Sequence, residues 1–263
     1  MTTVLCVPQW QGSASSRAPR LMAGARRAAE LIPADAVVTV PVLETAGEKV
    51  AGIRAFEALV ENQRLTGKAL AGIDDRVITI GGDCAVDIAP IAAAHARYGD
   101  ALTVLWIDAH PDVYSPQTLP SGAFHGMVVR ALLGDAPAGL APEQPLTPQQ
   151  VIIAGERAGD VSEHEYLAKT GLRRYGVDDL ERVLDGLRGP VYVHIDLDVL
   201  EPTVFGATCY PEPDGVPPQR LIDLVSQMND IVGAAITEHA PSGDDLDPGE
   251  AEVIRRLGTV LTR

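Results

Sequence analysis

Eight short segments of the chain are rich in β-branched and other apolar residues, and most are apolar throughout rather than alternating. In chain order they read TTVLCV, AVVTVPV, RVITIGG, LTVLWID, QVIIAG, LRRYGV, VYVHIDLD and VGAAITE. Continuous apolar runs are typical of strands buried on both faces of a parallel sheet. Stretches of helical composition, such as IRAFEALVENQRLTGKAL and VDIAPIAAAHARYG, lie between many of them.

This alternation predicts an α/β fold: an open, mostly parallel, eight-stranded sheet with helices on both faces, a three-layer α/β/α sandwich. A closed eight-stranded barrel is the alternative, although several connections look too brief for a regular barrel. We expect one domain over residues 1–263, because there is no internal repeat and the Pro- and Ala-rich segment 134–150 is short enough to be a surface loop.

Composition narrows the classes of partner. The net charge is −15, from 21 basic and 36 acidic residues, which disfavours nucleic acid and anionic membranes and favours a cationic ligand. No apolar run is long enough for a transmembrane helix, and the first residues lack the pattern of a signal peptide. The three cysteines, Cys6, Cys84 and Cys209, have no paired spacing, so we expect a cytoplasmic protein with reduced thiols.

Polar residues stand where several of the predicted strands end. Asp108, His110 and Asp112 follow one apolar run at alternate positions, and Asp196 and Asp198 end another. In an extended chain, alternate side chains point to the same side. Ligands of open parallel sheets bind at the carboxyl ends of the strands, so these residues should meet at one edge.

Four carboxylates in one place predict a site for two divalent cations. Without cations, mutual repulsion would raise their pKa values, whereas two divalent ions would neutralise them. Carboxylates together with imidazole suit Mn²⁺ better than a thiolate-rich set would. A single Asp-x-Asp pattern is most often only a turn, but two such patterns, each following a buried strand, are hard to produce by accident.

The order of the motifs resembles the ureohydrolase family of arginases, agmatinases and related amidinohydrolases. The motifs are GGDCAVD, DAHPD, SGAFHGM, HIDLDVLEP and TEHAP, from about Gly81 to Pro241. The resemblance implies an eight-stranded three-layer α/β sandwich. It also implies two Mn²⁺ ions and a small cationic guanidino substrate, which is hydrolysed by a metal-activated water that attacks the guanidinium carbon.

The resemblance also implies roles for individual residues. Asp108 and Asp196 would bridge the two ions, and the other ligands would be Cys84 and Asp112 on one ion and His110 and Asp198 on the other. His125 would be the mobile-loop histidine that shuttles a proton to the leaving amine. Glu238 would hold the guanidinium, and contacts with the rest of the substrate would come from Ser121, Asp160 and Glu163. Members of this family commonly form trimers or hexamers, which implies a homo-oligomer.

The chain departs from the family pattern at the first metal ligand, where Cys84 replaces the usual His. A thiolate there would favour softer ions such as Zn²⁺, Fe²⁺ or Co²⁺ over Mn²⁺. Alternatively, the thiol stays protonated and carboxylates and water hold that ion. Some relatives that act on hydroxylated arginine look cysteine-substituted here too, so the change is compatible with activity.

The substrate pocket departs as well. Tyr114 and Ala123 stand where arginases have the two Asn residues that recognise the α-carboxylate, and Cys209 and Tyr210 replace a Gly-Thr pair at the rim. The substrate could therefore be Nω-hydroxyarginine, agmatine, a guanidinoalkanoate or guanidine instead of arginine. A degenerate binding or regulatory subunit, with at most one metal, is the alternative of another class.

The remaining conspicuous residues have structural interpretations. His194 shares a strand face with Asp196 and is expected to support the site by hydrogen bonding. Trp10 and Trp106 should be packing residues. His95, His164 and His239 should be surface or structural, and Gly81 to Asp83 should form a tight turn.

Overall fold

The computed structural model describes residues 1–243 and 247–263 and contains one eight-stranded sheet in which all neighbouring strands are parallel. The strands are β1 Thr2–Val7, β2 Ala36–Thr39, β3 Arg76–Gly81, β4 Thr103–Ile107, β5 Val151–Ala154, β6 Arg173–Tyr175, β7 Val191–Asp196 and β8 Ile231–Thr237. Their order is β2-β1-β3-β8-β7-β4-β5-β6. The predicted α/β fold is confirmed. The barrel alternative is wrong, because β2 and β6 are open edges.

Within residues 1–243 and 247–263, eight α-helices cover the sheet on both sides. They are α1 Arg20–Leu31, α2 Phe56–Leu70, α3 Ile88–Tyr98, α4 Val128–Leu132, α5 Val161–Thr170, α6 Val183–Gly186, α7 Pro218–Ser226 and α8 Pro248–Leu261. Residues of α2, α3, α4 and α5 pack on one face and residues of α1, α6, α7 and α8 on the other. Within the described ranges, each helix is too short or too polar to cross a lipid bilayer.

Helices on both faces explain why the strands are apolar throughout. Along β4, Val104 and Trp106 belong to the core on one face, and Leu105 and Ile107 belong to the core on the other. A strand covered on both sides has no solvent-facing positions, and its polar residues are therefore displaced to its ends.

The edge strands are shorter than the sequence predicts. AVVTVPV contributes only the four residues of β2, and LRRYGV only the three of β6. Each edge strand pairs with a single neighbour, and the residues of β2 are mostly exposed. Apolar composition alone does not reveal which strands lie at the edge.

Gly82 lies in the turn after β3 and packs against the end of β1 and the residues that follow it. Its N–H donates to Val7 O at 3.0 Å, and its carbonyl oxygen accepts from Glu238 N–H at 2.7 Å. A Cβ at this position would lie 1.6 Å from Gln9 O, which is backbone and cannot rotate away. The turn therefore needs glycine for close approach rather than for an unusual φ.

We expect Gly82→Ala to lower the free energy of unfolding by about 3 kcal/mol, since overpacking against fixed backbone must shift one of the two segments. Denaturant unfolding measures the loss. Gly67→Ala is the matched control: a Cβ there, within α2, meets nothing within 4 Å, so stability should rise by up to about 1 kcal/mol. Equal effects of the two substitutions would show that Gly82 has no packing role.

Candidate metal centre

The four adjacent central strands bring their carboxyl ends, and the polar residues that follow them, to one place. Cys84 begins a short 3₁₀ helix, Cys84–Asp87, just after β3. Glu238 follows β8, Asp196 ends β7 and Asp108 follows β4. Since the order β3-β8-β7-β4 makes these strands neighbours, residues far apart in sequence meet at the middle of the edge.

The carboxylates of this edge are buried and linked to one another through hydrogen bonds. Asp196 accepts from the Cys84 thiol at 3.0 Å and from the Asp198 backbone N–H at 2.8 Å. Asp108 accepts from the backbone N–H of His110 at 2.6 Å. The His110 Nδ1 lies 3.0 Å from Asp198 Oδ2 and 3.5 Å from Asp108 Oδ1. Asp108, His110, Asp196 and Asp198 are therefore brought together.

Among the residues that the structure describes, three groups of side chains place possible ligand atoms within 4.8 Å of one another. The groups are Cys84 with Asp108 and His194, Cys84 with Asp196 and Glu238, and Asp108 with His110 and Asp198. Cys84 and Asp108 each belong to two groups, so the clusters are contiguous. Asp112 is next to them: its carboxylate is buried, and within the described residues its Oδ2 has no hydrogen-bond partner.

The backbone does not stay extended through the motifs, as the sequence argument assumed. Leu197–Val199 form a 3₁₀ turn, since the Asp196 side chain accepts from the Asp198 N–H. Asp112 has a φ of 53° and Glu238 a φ of 64°, both in the left-handed region. Left-handed non-glycine residues are strained and cluster at functional sites. Turns, rather than strand alternation, aim these side chains inward.

Burial and mutual repulsion shift the pKa values of the carboxyl groups. Desolvation, reinforced by neighbouring carboxylates, raises the pKa of Asp108, Asp112 and Asp196. Burial also acts to raise the pKa of Asp198, but the contact with His110 holds it below its usual value. Oxygen donors that repel one another and are only partly hydrogen-bonded are a donor set that fits divalent cations.

Cys84 lacks the two features of a reactive cysteine, which are partial exposure and a lowered pKa. Its side chain is fully buried, and desolvation followed by the charges of Asp196 and Glu238 raises its pKa well above the usual value. Its thiol donates to Asp196 and lies 3.2 Å from Thr237 Oγ1. This environment favours the protonated thiol unless a metal displaces the proton.

His125 and Glu238 form a second pair beside the carboxylates. His125 Nδ1 lies 3.2 Å from Glu238 Oε1, and the His125 ring stacks on Tyr210 with centroids 5.2 Å apart. Burial opposes protonation of His125, but Glu238 raises its pKa above the usual value. Both Glu238 carboxylate oxygens are buried and, among the described residues, accept no well-aligned hydrogen bond.

A cleft of about 470 Å³ opens above these groups. Its lining includes His110, Asp112, Tyr114, Ser121, Ala123, His125 and Tyr210. The two departures from the arginase pocket pattern, Tyr114 and Ala123, therefore lie at the cleft wall. A larger depression of about 810 Å³, near Asp100 and Gly189, lies at the opposite, amino-terminal edge of the sheet, away from the acidic groups.

Asp160 and Glu163 do not line this cleft. Asp160 caps α5 by accepting from Glu163 N–H at 3.0 Å, and Glu163 accepts from Asp160 N–H and Val113 N–H. Glu163 is fully buried, and desolvation raises its pKa to about 7. Burial, together with the nearby carboxyl groups of Glu163 and Asp160, raises the pKa of the Tyr114 hydroxyl. The two acids brace Tyr114 and the start of α5, and their direct substrate contact stays a prediction.

Some neighbours of the centre have contacts that the sequence analysis missed. Trp106, expected only to pack, donates its Nε1–H to Asp108 Oδ2 at 3.0 Å. Asp87, which was not singled out, is buried and lies 2.8 Å from His194 Nδ1. The sequence did indicate the contact of Trp106 with Asp108, because Trp106 lies two residues before Asp108 on the same strand face. Asp87 gives no comparable signal, because its partner is distant in sequence.

Comparison with known proteins finds relatives that are named as arginases and as an amidinohydrolase. The family model described as "Arginase family" matches residues 47–257. N(omega)-hydroxy-L-arginine amidinohydrolase of Streptomyces lavendulae is 31% identical over 198 residues, which cover 73% of this chain and 71% of that protein. The hepatic arginase of Aquarana catesbeiana is 31% identical over 199 residues, which cover 64% of this chain and 61% of that protein.

A solved structure shares the fold over almost its whole length. The arginase of Entamoeba histolytica, in complex with L-ornithine, superposes with a TM-score of 0.86 at 21% identity. The superposition covers 99% of this chain and 98% of that one.

Proposed function

The chain belongs to the arginase family, and from that membership we propose that it is a metal-dependent hydrolase that cleaves a C–N bond of a guanidino compound and releases urea or a urea derivative. The observation that carries this proposal is the convergence of Asp108, Asp196, Asp198 and His110, all but His110 buried, at the carboxyl edge of the sheet. Shifted carboxyl pKa values that gather at one place are typical of functional sites.

The metal centre is binuclear, as in the family, and Mn²⁺ is the proposed ion. Asp108 and Asp196 would be the shared ligands: Asp108 belongs to two groups of possible donors, and Asp196 accepts from the Cys84 thiol and from the backbone N–H of Asp198, which belong to different groups. The remaining proposed ligands are Cys84, His110, Asp112 and Asp198. When bound, the two ions supply Lewis-acid activation of water at neutral pH. An oxygen-rich set with imidazole suits Mn²⁺.

Glu238 and His125 act on the substrate. The Glu238 carboxylate is buried, and its oxygens accept no well-aligned hydrogen bond from the described residues, which fits a planar guanidinium that donates two parallel hydrogen bonds. His125 lies at the cleft beside Glu238, which raises the His125 pKa against the effect of burial; a protonated His125 can donate a proton to the leaving amine. Ser121 lines the same cleft and can bind the substrate tail.

The preferred substrate is a guanidino compound other than arginine: Nω-hydroxyarginine, agmatine or a guanidinoalkanoate. An α-carboxylate in this cleft would face Tyr114 and Ala123 without a side-chain amide from either position. This disfavours arginine and, by the same contact, Nω-hydroxyarginine, and it favours agmatine, which lacks that carboxylate. The name of the Streptomyces lavendulae relative supports hydroxyarginine among these candidates.

A substrate screen tests this proposal. Mn²⁺-loaded protein is assayed with arginine, Nω-hydroxyarginine, agmatine and guanidinobutyrate for release of urea or hydroxyurea. Each hydrogen bond to a charged group is worth about 1.5–3 kcal/mol, so kcat/KM for arginine should be at least about tenfold below that of the best substrate. Arginine as the best substrate would refute the preference. No hydrolysis of any guanidino compound would refute the proposed function.

We also propose that the protein is a homo-oligomer, a trimer or hexamer, that works in the cytoplasm. The family resemblance supports the assembly, and three buried free cysteines fit a reducing compartment. Light scattering during size exclusion gives the mass of the assembly directly.

A further inference from the structure

His194 lies at the back of the metal centre and is fully buried. It is on β7, paired in register with Trp106 of β4, and its ring stacks on the Trp106 indole with centroids 3.4 Å apart and planes inclined by 2°. This stack and the strand backbone hold the imidazole in one orientation, so the directions of its two nitrogens are fixed.

Asp87 defines which nitrogen of His194 carries the proton. Its Oδ2 lies 2.8 Å from His194 Nδ1, and its Oδ1 accepts from the Tyr192 hydroxyl. A carboxylate can only accept, so Nδ1 is the donor, and in the neutral imidazole Nε2 carries a lone pair. A carboxylate behind the distal nitrogen of an imidazole is the arrangement that orients metal-ligating histidines.

His194 Nε2 is on the side of the ring toward Thr237, whose hydroxyl also lies 3.2 Å from the Cys84 Sγ. A ligand nitrogen of His194 lies within 4.8 Å of both the Cys84 Sγ and a carboxylate oxygen of Asp108, and Asp87 occupies Nδ1. In the described part of the chain, the hydrogen-bonding contact recorded for Nε2 is a long one, 3.4 Å, to Thr237 Oγ1. Two donors on one ion at about 2.0–2.3 Å lie at most about 4.6 Å apart, so donors within 4.8 Å of one another can share an ion after a small shift of the side chains.

We infer that His194 Nε2 is a ligand of the ion beside Cys84, so that strand β7 supplies the imidazole that position 84 lacks. This inference rests on the proposed metal centre. It assigns the chain two metal-binding histidines, His110 and His194, with Asp87 as a positioning residue for the second. The role goes beyond the supporting hydrogen bond that the sequence predicts for His194.

The test counts imidazoles bound to metal. Full-length protein labelled with ¹⁵N-histidine is loaded with Mn²⁺, and pulsed EPR measures the number of histidine nitrogens with the hyperfine coupling of direct ligands. We expect two in the parent protein and one in His194→Gln, together with a fall in Mn²⁺ affinity of about 10- to 100-fold by calorimetry. His95→Gln is the matched control, since His95 is a buried histidine of α3 that contacts Gln144 O, and it should keep two.

The possible failures are distinguishable. Two bound ions with one coupled imidazole in the parent protein would overturn the inference and leave the proposed function standing. Failure of the parent protein to bind Mn²⁺, Co²⁺ or Zn²⁺ would overturn the metal centre itself. If His194→Gln does not fold, the count in the labelled parent protein still decides the question.

Discussion

We expect the substitution Asp108→Asn to abolish most metal binding and to lower turnover by about a thousandfold. Asp108 is adjacent to His110 and Asp198 on one side and to Cys84 and His194 on the other, so one substitution weakens both proposed metal sites. The amide also loses the negative charge that offsets two divalent cations, a contribution of several kcal/mol, where about 1.4 kcal/mol is a factor of ten. If the NH₂ group of the new Asn side chain faces Trp106 Nε1–H, two hydrogen-bond donors face each other and this hydrogen bond is lost.

Mass spectrometry of the bound metal and an assay of urea release together check this outcome. Asp196→Asn should lower metal content and turnover in the same way. Asp223→Asn, on the exposed face of α7, is the control and should change neither. A folded Asp108→Asn protein with two ions and normal turnover would show that the metal assignment is wrong. If the parent protein holds at most one ion and hydrolyses none of the guanidino compounds, a degenerate binding subunit becomes the better description.

The second large effect is expected from Cys84→His, which should tighten Mn²⁺ binding about tenfold or more and raise arginine hydrolysis above that of the parent protein. Burial and nearby carboxylates keep the Cys84 pKa high, so a proton must be lost before sulfur can ligate. A neutral imidazole offers its lone pair without that cost, and it suits Mn²⁺ better than sulfur does.

Calorimetric titration with Mn²⁺ and assays on all four guanidino compounds measure the change. Cys6→Ala is the matched control, because Cys6 is a buried thiol of β1 in the core rather than at the centre. If Cys84 is tuned to another substrate, Cys84→His will gain on arginine and lose on that compound. A folded variant unchanged in affinity and in every activity would mean that position 84 does not touch the metal site.

Much of the fold and of the centre follows from local patterns, while the partners of buried residues do not. Apolar runs with polar ends correctly predicted the parallel strands and placed Asp108 and Asp196 at one edge. The neighbours Cys84 and Glu238 needed the strand order, which depends on pairings between distant segments. The same applies to the contact between Asp87 and His194, which are 107 positions apart.

One local signal in the sequence pointed away from the substrate. Asp160 followed three residues later by Glu163, just before a helix, is the spacing of a capping box, and the structure uses both residues that way. The family resemblance assigned them to substrate binding instead. The structure gives both carboxyl groups backbone partners, and the substrate contact that the resemblance implies stays a prediction.

The left-handed backbone at Asp112 and Glu238 sets a limit on how this protein can be improved. Each strained residue costs of the order of 1–3 kcal/mol, which the surrounding sheet must supply. Glycine at either position would relieve that strain and remove a carboxylate in the same step. Directed evolution that selects only for expression or thermal stability will therefore favour such glycine variants early. It will yield more stable proteins that no longer turn over substrate.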